Sequence, residues 1–256
     1  MNCYLCEGNV FKVVFDYDKP DKYERWMGIN DVSRQWTKCV ECGMYYSFRN
    51  YDIKKLESIY KNGYRNIGFR GESIEDSFKN IMSLPSNQSE NRKRCNWLME
   101  RTEPCVLLDI GAGLGVFPTV MDRHGYIVEC VEENLNSISF LRDMGFKCYD
   151  KIPDKRYSIV SMVNVLEHIE NPIEFLEGIG KNVAMWFFIE VPCAVEFGYL
   201  DKDNDEFNSC HVMFYTKKTL KKTLEMSGYK VTHMETKFYE TRKLSRILAL
   251  CRKIEK

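Results

Sequence analysis

The sequence predicts an α/β protein in which a mostly parallel sheet, covered by helices on both faces, follows a small module built on cysteines. Three observations predict it. From residue 105 onward, short apolar runs alternate with helical stretches at the spacing of strand–helix–strand units. A glycine-rich turn, Gly111 to Gly115, lies between the first of these strands and the first helix. Two C-x-x-C pairs, Cys3 with Cys6 and Cys39 with Cys42, stand ahead of it, with Gly43 directly after the second. The chain accordingly divides into 1–50, the cysteine module; 51–103, a helical connector or lid; and 104–256, the domain containing the sheet.

Each C-x-x-C turn delivers two thiolates to one metal, so Cys3, Cys6, Cys39 and Cys42 together suit a tetrahedral Zn(II) ion. All four positions would then be filled by protein, which marks a structural site, because a catalytic zinc keeps a position open. The stretch between the pairs alternates apolar and polar residues in places (Val10-Phe11-Lys12-Val13-Val14-Phe15) and reads as hairpin strands. A unit of about 45 residues has too small a core to fold alone, so metal binding would supply the missing stability. The alternatives are four buried thiols without metal, or a redox pair, which lacks its usual strand-to-helix context. Cys95, Cys105, Cys130, Cys148, Cys193, Cys210 and Cys251 are scattered singly and read as small buried hydrophobes.

Bulk properties narrow the class. Lys plus Arg and Asp plus Glu both number 37, so the net charge is zero, which counts against a nucleic-acid partner. No basic start leads into an apolar run, and no stretch approaches the roughly 18–20 apolar residues that cross a bilayer. A cytoplasmic location is therefore expected, where disulfides are rare.

In the connector, 52–60 and 72–82 have helical spacing, and Gly63, Gly68 and Gly71 break the segment into pieces. Pro85 and Ser86 precede a helix running to about Arg101, with Cys95, Trp97 and Leu98 on its apolar face. Residues 105–110 are a nearly continuous apolar strand, as expected for one buried on both faces. A helix to about His124 follows, then strand 126–131, helix 135–144, and strands 146–149 and 157–163. Asn171-Pro172 opens another helix, since proline suits the first turn, and 183–191 is the fifth strand. A loop over 192–215 leads to a helix over 217–227 stopped by Gly228, and then to strand 229–237. The last run, Ile247-Leu-Ala-Leu-Cys251, fits either a basic amphipathic helix or a strand; the strand is preferred because an antiparallel pair closes the sheet.

The glycine turn sits where parallel sheets bind nucleotide-like ligands, beyond the carboxyl ends of the strands. Its spacing is G-x-G-x-G, with Val116 where a dinucleotide site has its last glycine. Asp109 precedes the turn; a carboxylate there suits the amino group of a methionine moiety better than a pyrophosphate. Glu132 ends the second strand about 20 residues past the turn, the distance at which an acid meets ribose hydroxyls.

Asp109-x-Gly-x-Gly-x-Gly115, Glu132, Asn164-Val-Leu-Glu-His168 with Asn171-Pro172, and His211 followed by Phe214-Tyr-Thr resemble the class I S-adenosylmethionine-dependent methyltransferases, which have a Rossmann-like fold. Together with the C-x-x-C…C-x-x-C-G module, the chain is similar to a subgroup that often modifies sugars in cell-surface polysaccharide or antibiotic-sugar pathways. The resemblance implies S-adenosylmethionine as cofactor, its methionine part cradled by Asp109, Gly111, Ala112, Gly113 and Gly115, and its ribose held by Glu132. It implies that Tyr149 and Asp150 lie near the adenine and that Asn164 and Leu166 wall the methyl group. The implied partner is a small nucleotide- or sugar-linked acceptor methylated on oxygen. A zinc-containing RNA methyltransferase and a non-catalytic zinc scaffold with a vestigial cofactor site are the alternatives.

An alcohol acceptor needs its proton removed, and histidine is best poised for that at neutral pH. Of the four histidines, His124 suits a helix C-terminus and His233 falls in a late strand, so both read as structural. His168, after the fourth strand, and His211, in the 192–215 loop, are the candidate general bases; loop or helix-start hydrogen bonding is the alternative for each. Glu167 and Glu190 are candidates for orienting the base or the substrate. Residues 196–207 carry five acids, a run expected to face solvent and to repel a polyanion.

Overall fold

The computed structural model describes residues 2–59 and 71–254, so Tyr60, Gly63 and Gly68 of the connector lie outside the described residues. Among them, two sheets form. The first is antiparallel and four-stranded, in the order β1 (Phe11–Tyr17), β2 (Arg34–Cys39), β3 (Tyr45–Arg49) and β9 (Met213–Phe214). The expected hairpin strands are β1 and β2, but a short helix, α1 (Lys22–Trp26), interrupts the connection. Asp21 starts that helix: its side chain accepts from the backbone of Tyr23 and Glu24, and Glu24 reaches back to the Asp21 amide.

The second sheet has seven strands. Its parallel part runs β6 (Lys147–Tyr149), β5 (Ile127–Val131), β4 (Val106–Ile110), β7 (Tyr157–Val163) and β8 (Val183–Pro192). Antiparallel to β8 lies β11 (Leu244–Lys253), and antiparallel to that lies β10 (Tyr229–Tyr239). The ambiguous C-terminal run is thus a strand. β11 is buried from Leu244 to Cys251 in the interior of the sheet, which explains its apolar run from Ile247 to Cys251. This is the Rossmann-like α/β fold that the motifs imply.

The other α-helices described are α2 (Lys54–Ser58), α3 (Ile74–Ser83), α4 (Glu90–Met99), α5 (Val116–Asp122), α6 (Leu135–Asp143), α7 (Pro172–Ile179) and α8 (Lys217–Met226). Ser73 and Ser89 cap α3 and α4 by accepting from backbone amides in the first turn. α4 buries Arg94, Cys95, Trp97 and Leu98 against the sheet, and the Trp97 indole donates to Glu235 at 2.7 Å. No helix among the described residues is long and apolar enough to cross a membrane.

The cysteine module and the large sheet share a core. Cys3, Cys39 and Met44 pack in one cluster with Ile189, Leu220 and Ile247. The 192–215 segment contributes β9 to the module's sheet, with Tyr45 opposite Phe214 and Tyr46 opposite Met213. A segment expected to be a loop therefore fastens the two sheets together.

Candidate active site

The glycine turn follows β4, and its backbone conformation demands glycine. Gly111, Gly113 and Gly115 have φ of +77°, +57° and +73°, left-handed values that side chains disfavour. Crowding adds to this: a Cβ on Gly111 would lie 2.5 Å from Val165 Cγ2, and one on Gly115 would lie 2.6 Å from Leu141 Cδ2. The amides of Gly111 and Ala112 donate to the Val131 carbonyl at the end of β5. Glu132, one residue on, accepts from the Gly113 amide at 2.8 Å, while its other oxygen accepts from the amides of Glu133 and Asn134. The acid thus ties the tip of β5 to the turn.

Asp109 is buried, and its Oδ1 accepts from Ser161 Oγ of β7 at 2.7 Å. Burial raises its carboxyl to about 7, against the lowering effect of the Ser161 bond and of Arg94. Across the turn, Asn164 follows β7 with φ +53°, its amide donates to the Glu190 carbonyl, and its buried Oδ1 has no hydrogen-bond partner. Strained positions of this kind collect where ligands are held.

Three other residues expected at the cofactor lie in varied surroundings. Leu166 is fully buried in the core, so its side chain does not wall an open cleft. Tyr149 ends β6 as expected, but its hydroxyl turns back to donate to Glu129, an acid that also takes Tyr157 and Lys155. Asp150 is exposed beyond the strand end.

Glu167 and His168 lie in a tight turn directly after β7, and His211 comes from the segment that carries β9. His168 Nδ1 is 2.9 Å from the Cys210 carbonyl, and His211 Nδ1 is 2.7 Å from the Glu206 carbonyl. Carbonyls only accept, so each ring carries its proton on Nδ1 and leaves Nε2 as the basic nitrogen. The ring centroids are 4.7 Å apart. Burial lowers both histidines to about 3 and raises Glu167 to about 8. The structure therefore brings three of the four candidate catalytic residues together.

Glu190 is the exception. Its carboxylate is fully buried against Arg94 of α4, whose Nε donates to both oxygens at 3.0 Å, and the Tyr239 hydroxyl donates to it as well. It orients neither histidine. The acidic run over 196–207 also departs from expectation. Asp201, Asp203 and Asp205 are exposed, but Glu196 and Glu206 are buried on either side of Arg246, with N–O distances of 3.0 and 2.9 Å. Arg34 and Trp36 donate to the Phe207 carbonyl and Arg49 to the His211 carbonyl, so β2 and β3 of the module hold this segment in place.

Ser161, Arg94 and Arg246 escaped sequence reasoning. Arg94 had a signal, since it precedes Cys95 and lies three and four residues before Trp97 and Leu98, on the face of α4 read as apolar.

The four thiols converge. Cys3 and Cys42 sulfurs are 3.5 Å apart, Cys6 and Cys39 sulfurs 3.6 Å, and all four lie within 4.8 Å of one another. Tetrahedral Zn–S bonds of about 2.3 Å put sulfurs about 3.8 Å apart, so the tetrad can hold such an ion. Each knuckle turns through a left-handed residue, Glu7 or Gly43, just after its second cysteine. A cavity of about 610 Å³ lined by Arg156, Lys181, Arg252 and Lys253 lies at the opposite, N-terminal edge of the parallel strands, away from the glycine turn.

No curated protein matches the sequence. Solved structures with the same fold include 1,6-didemethyltoxoflavin-N1-methyltransferase of Burkholderia thailandensis with S-adenosylhomocysteine bound. It is 14% identical, with a TM-score of 0.57 over 84% of this chain and 98% of that one. Magnesium protoporphyrin IX methyltransferase of Synechocystis, also with S-adenosylhomocysteine, is 14% identical, with a TM-score of 0.58 over 79% and 100%. The cyclase SpnF, 13% identical, has a TM-score of 0.52 over 66% and 82%. A family model described as a methyltransferase domain matches residues 79–234. That match covers more than half of the sequence, and the chain belongs to this family as a class I S-adenosylmethionine-dependent methyltransferase.

Proposed function

We propose that this enzyme transfers a methyl group to a hydroxyl of a sugar or sugar-linked intermediate of surface-polysaccharide biosynthesis, with a structural zinc ion on Cys3, Cys6, Cys39 and Cys42. The observation that carries the reading is the attachment of His211 to the four-cysteine module, which places it beside Glu167 and His168. The module that supports the resemblance to sugar-modifying methyltransferases thus has a direct part in building the acceptor site.

When bound, S-adenosylmethionine supplies an electrophilic methyl on a sulfonium. The turn over 111–115 lets the backbone approach the methionine part, with Asp109 behind it. Glu132 accepts two amides on Oε1 and one on Oε2, so Oε2 retains a lone pair for a ribose hydroxyl. Asn164 offers an unspent carbonyl oxygen at the same edge. Transfer is an in-line displacement that depends on alignment. The acceptor oxygen bonds to the methyl carbon as the carbon–sulfur bond breaks, the sulfur leaves as a neutral thioether, and the hydroxyl proton passes to the histidine pair. The exposed Asp201, Asp203 and Asp205 on the same segment as His211 favour a small acceptor over RNA.

Incubation with methyl-labelled S-adenosylmethionine and a panel of nucleotide sugars, read by mass spectrometry, tests the proposal. One labelled methyl on a sugar hydroxyl is expected. Labelling only of amines, of RNA, or of nothing in the panel while S-adenosylhomocysteine still binds would refute the sugar assignment.

A further inference from the structure

We propose that Glu167, His168 and His211 bind a divalent first-row transition-metal ion at a second site, distinct from the four-cysteine centre. The role of that ion, holding and acidifying the acceptor hydroxyl, rests on the methyltransferase reading above and takes the place of the histidine pair as base, the proton then leaving to solvent; the binding of the ion does not rest on that reading.

The donor set converges. A carboxylate oxygen of Glu167 and one ring nitrogen each from His168 and His211 all lie within 4.8 Å of one another. Ligands about 2.1 Å from a shared ion sit at most about 4.2 Å apart, and about 3.4 Å apart at a tetrahedral angle, so donors within 4.8 Å of one another need only small side-chain rotations to share one. Two imidazoles and one carboxylate suit zinc, iron(II), manganese or cobalt, and three protein ligands leave positions open for water or an acceptor oxygen.

Glu167 supplies a second and independent argument. It is fully buried, and neither of its carboxylate oxygens has a hydrogen-bond partner. Its surroundings do not lack cations, but those nearby are committed elsewhere. Arg246 lies between Glu196 and Glu206, Arg34 pairs with Asp21 and Glu24, and Arg49 donates to backbone carbonyls. Among the described residues no ion pair reaches Glu167. A buried carboxyl with two unmatched oxygens either holds a proton or meets a cation, and a metal ion would displace that proton.

Both rings are also braced in the way metal-binding histidines are. Each donates its Nδ1 proton to a backbone carbonyl, of Cys210 for His168 and of Glu206 for His211, which fixes the tautomer and raises the basicity of the other nitrogen. The backbone around them is held too. The Val212 amide donates to the Glu167 carbonyl, and the Ser47 amide of β3 donates to the Val212 carbonyl. The four-cysteine module therefore positions the third ligand of the second site.

Zinc content of the full-length protein, after equilibration with zinc and removal of excess by gel filtration, tests this. Two equivalents per chain are expected in the wild type and one in H211A and in the near-isosteric E167Q. Retained S-adenosylhomocysteine binding in the variants reports that they are folded. X-ray absorption of the wild type should show half the zinc in all-sulfur coordination and half bound by nitrogen and oxygen. One equivalent in the wild type, two in both variants, or all-sulfur coordination throughout overturns the proposal. Failure of the wild type to bind S-adenosylhomocysteine would instead count against the methyltransferase reading and leave the metal count standing.

Discussion

Arg94, on the connector helix α4, is buried against Glu190 of β8, its Nε 3.0 Å from both carboxylate oxygens. Glu190 is thereby a structural partner. Removing one member of a buried pair leaves an uncompensated charge, which typically costs about 3–5 kcal/mol. E190Q and R94A should therefore each lose a large part of that stability in urea denaturation. A drop in turnover at unchanged stability in E190Q would return Glu190 to the chemistry.

Alanine at Gly111 or Gly115 should damage cofactor binding more than any surface change. The left-handed backbone costs a side chain roughly 1–2 kcal/mol, before any clash with Val165 or Leu141. The turn relieves that cost by moving out of the cofactor cradle and must be restored on binding, so at about 1.4 kcal/mol per tenfold S-adenosylhomocysteine should bind about tenfold or more weakly in calorimetry. Gly145, also left-handed but with open space around it, is the control, and G145A should leave affinity unchanged.

Asp109 gives a pH signature. Its folded-state carboxyl titrates at about 7, above the ordinary 3.8, so between those values the folded protein holds a proton that the unfolded chain has released. That contribution to stability is complete below the ordinary value and is lost as pH rises to about 7. The stability of the wild type relative to D109N should fall across this window, by at most about 4 kcal/mol, and level off above it. A flat difference would show that Asp109 stays ionised.

Loss of the zinc ion proposed on the four cysteines should be felt at a distance. C39S should unfold the module and also speed hydrogen exchange across 207–214, because β9 pairs with β3 and Arg49 holds the His211 carbonyl. The amides of Gly111 and Gly113, held by β5 and Glu132, should keep their protection. Equal loss in both regions would show that the module supports the whole sheet.

The acidic run shows where sequence reasoning stops. Glu196 and Glu206 look like their exposed neighbours Asp201 and Asp203, and nothing local distinguishes them. What separates them is Arg246, 40 residues beyond Glu206 and 50 beyond Glu196, brought between them by β11. The two-residue strand β9 was illegible for a similar reason, being too short to show periodicity. The helix α1 was different, since Asp21 followed three residues later by Glu24 is a capping box visible in the sequence.

The sequence by itself determined the strand–helix order, the glycine turn with its flanking Asp109 and Glu132, and the paired spacing of the four cysteines. These are signals carried within a few residues, by periodicity, backbone permissiveness and ligand spacing. Tertiary structure alone decided that Glu190 serves Arg94, that Tyr149 turns to Glu129, and that His211 meets Glu167 and His168 from far along the chain. Those outcomes depend on which long-range pairings best satisfy buried charges and donors, and that competition is settled only when the whole chain has packed.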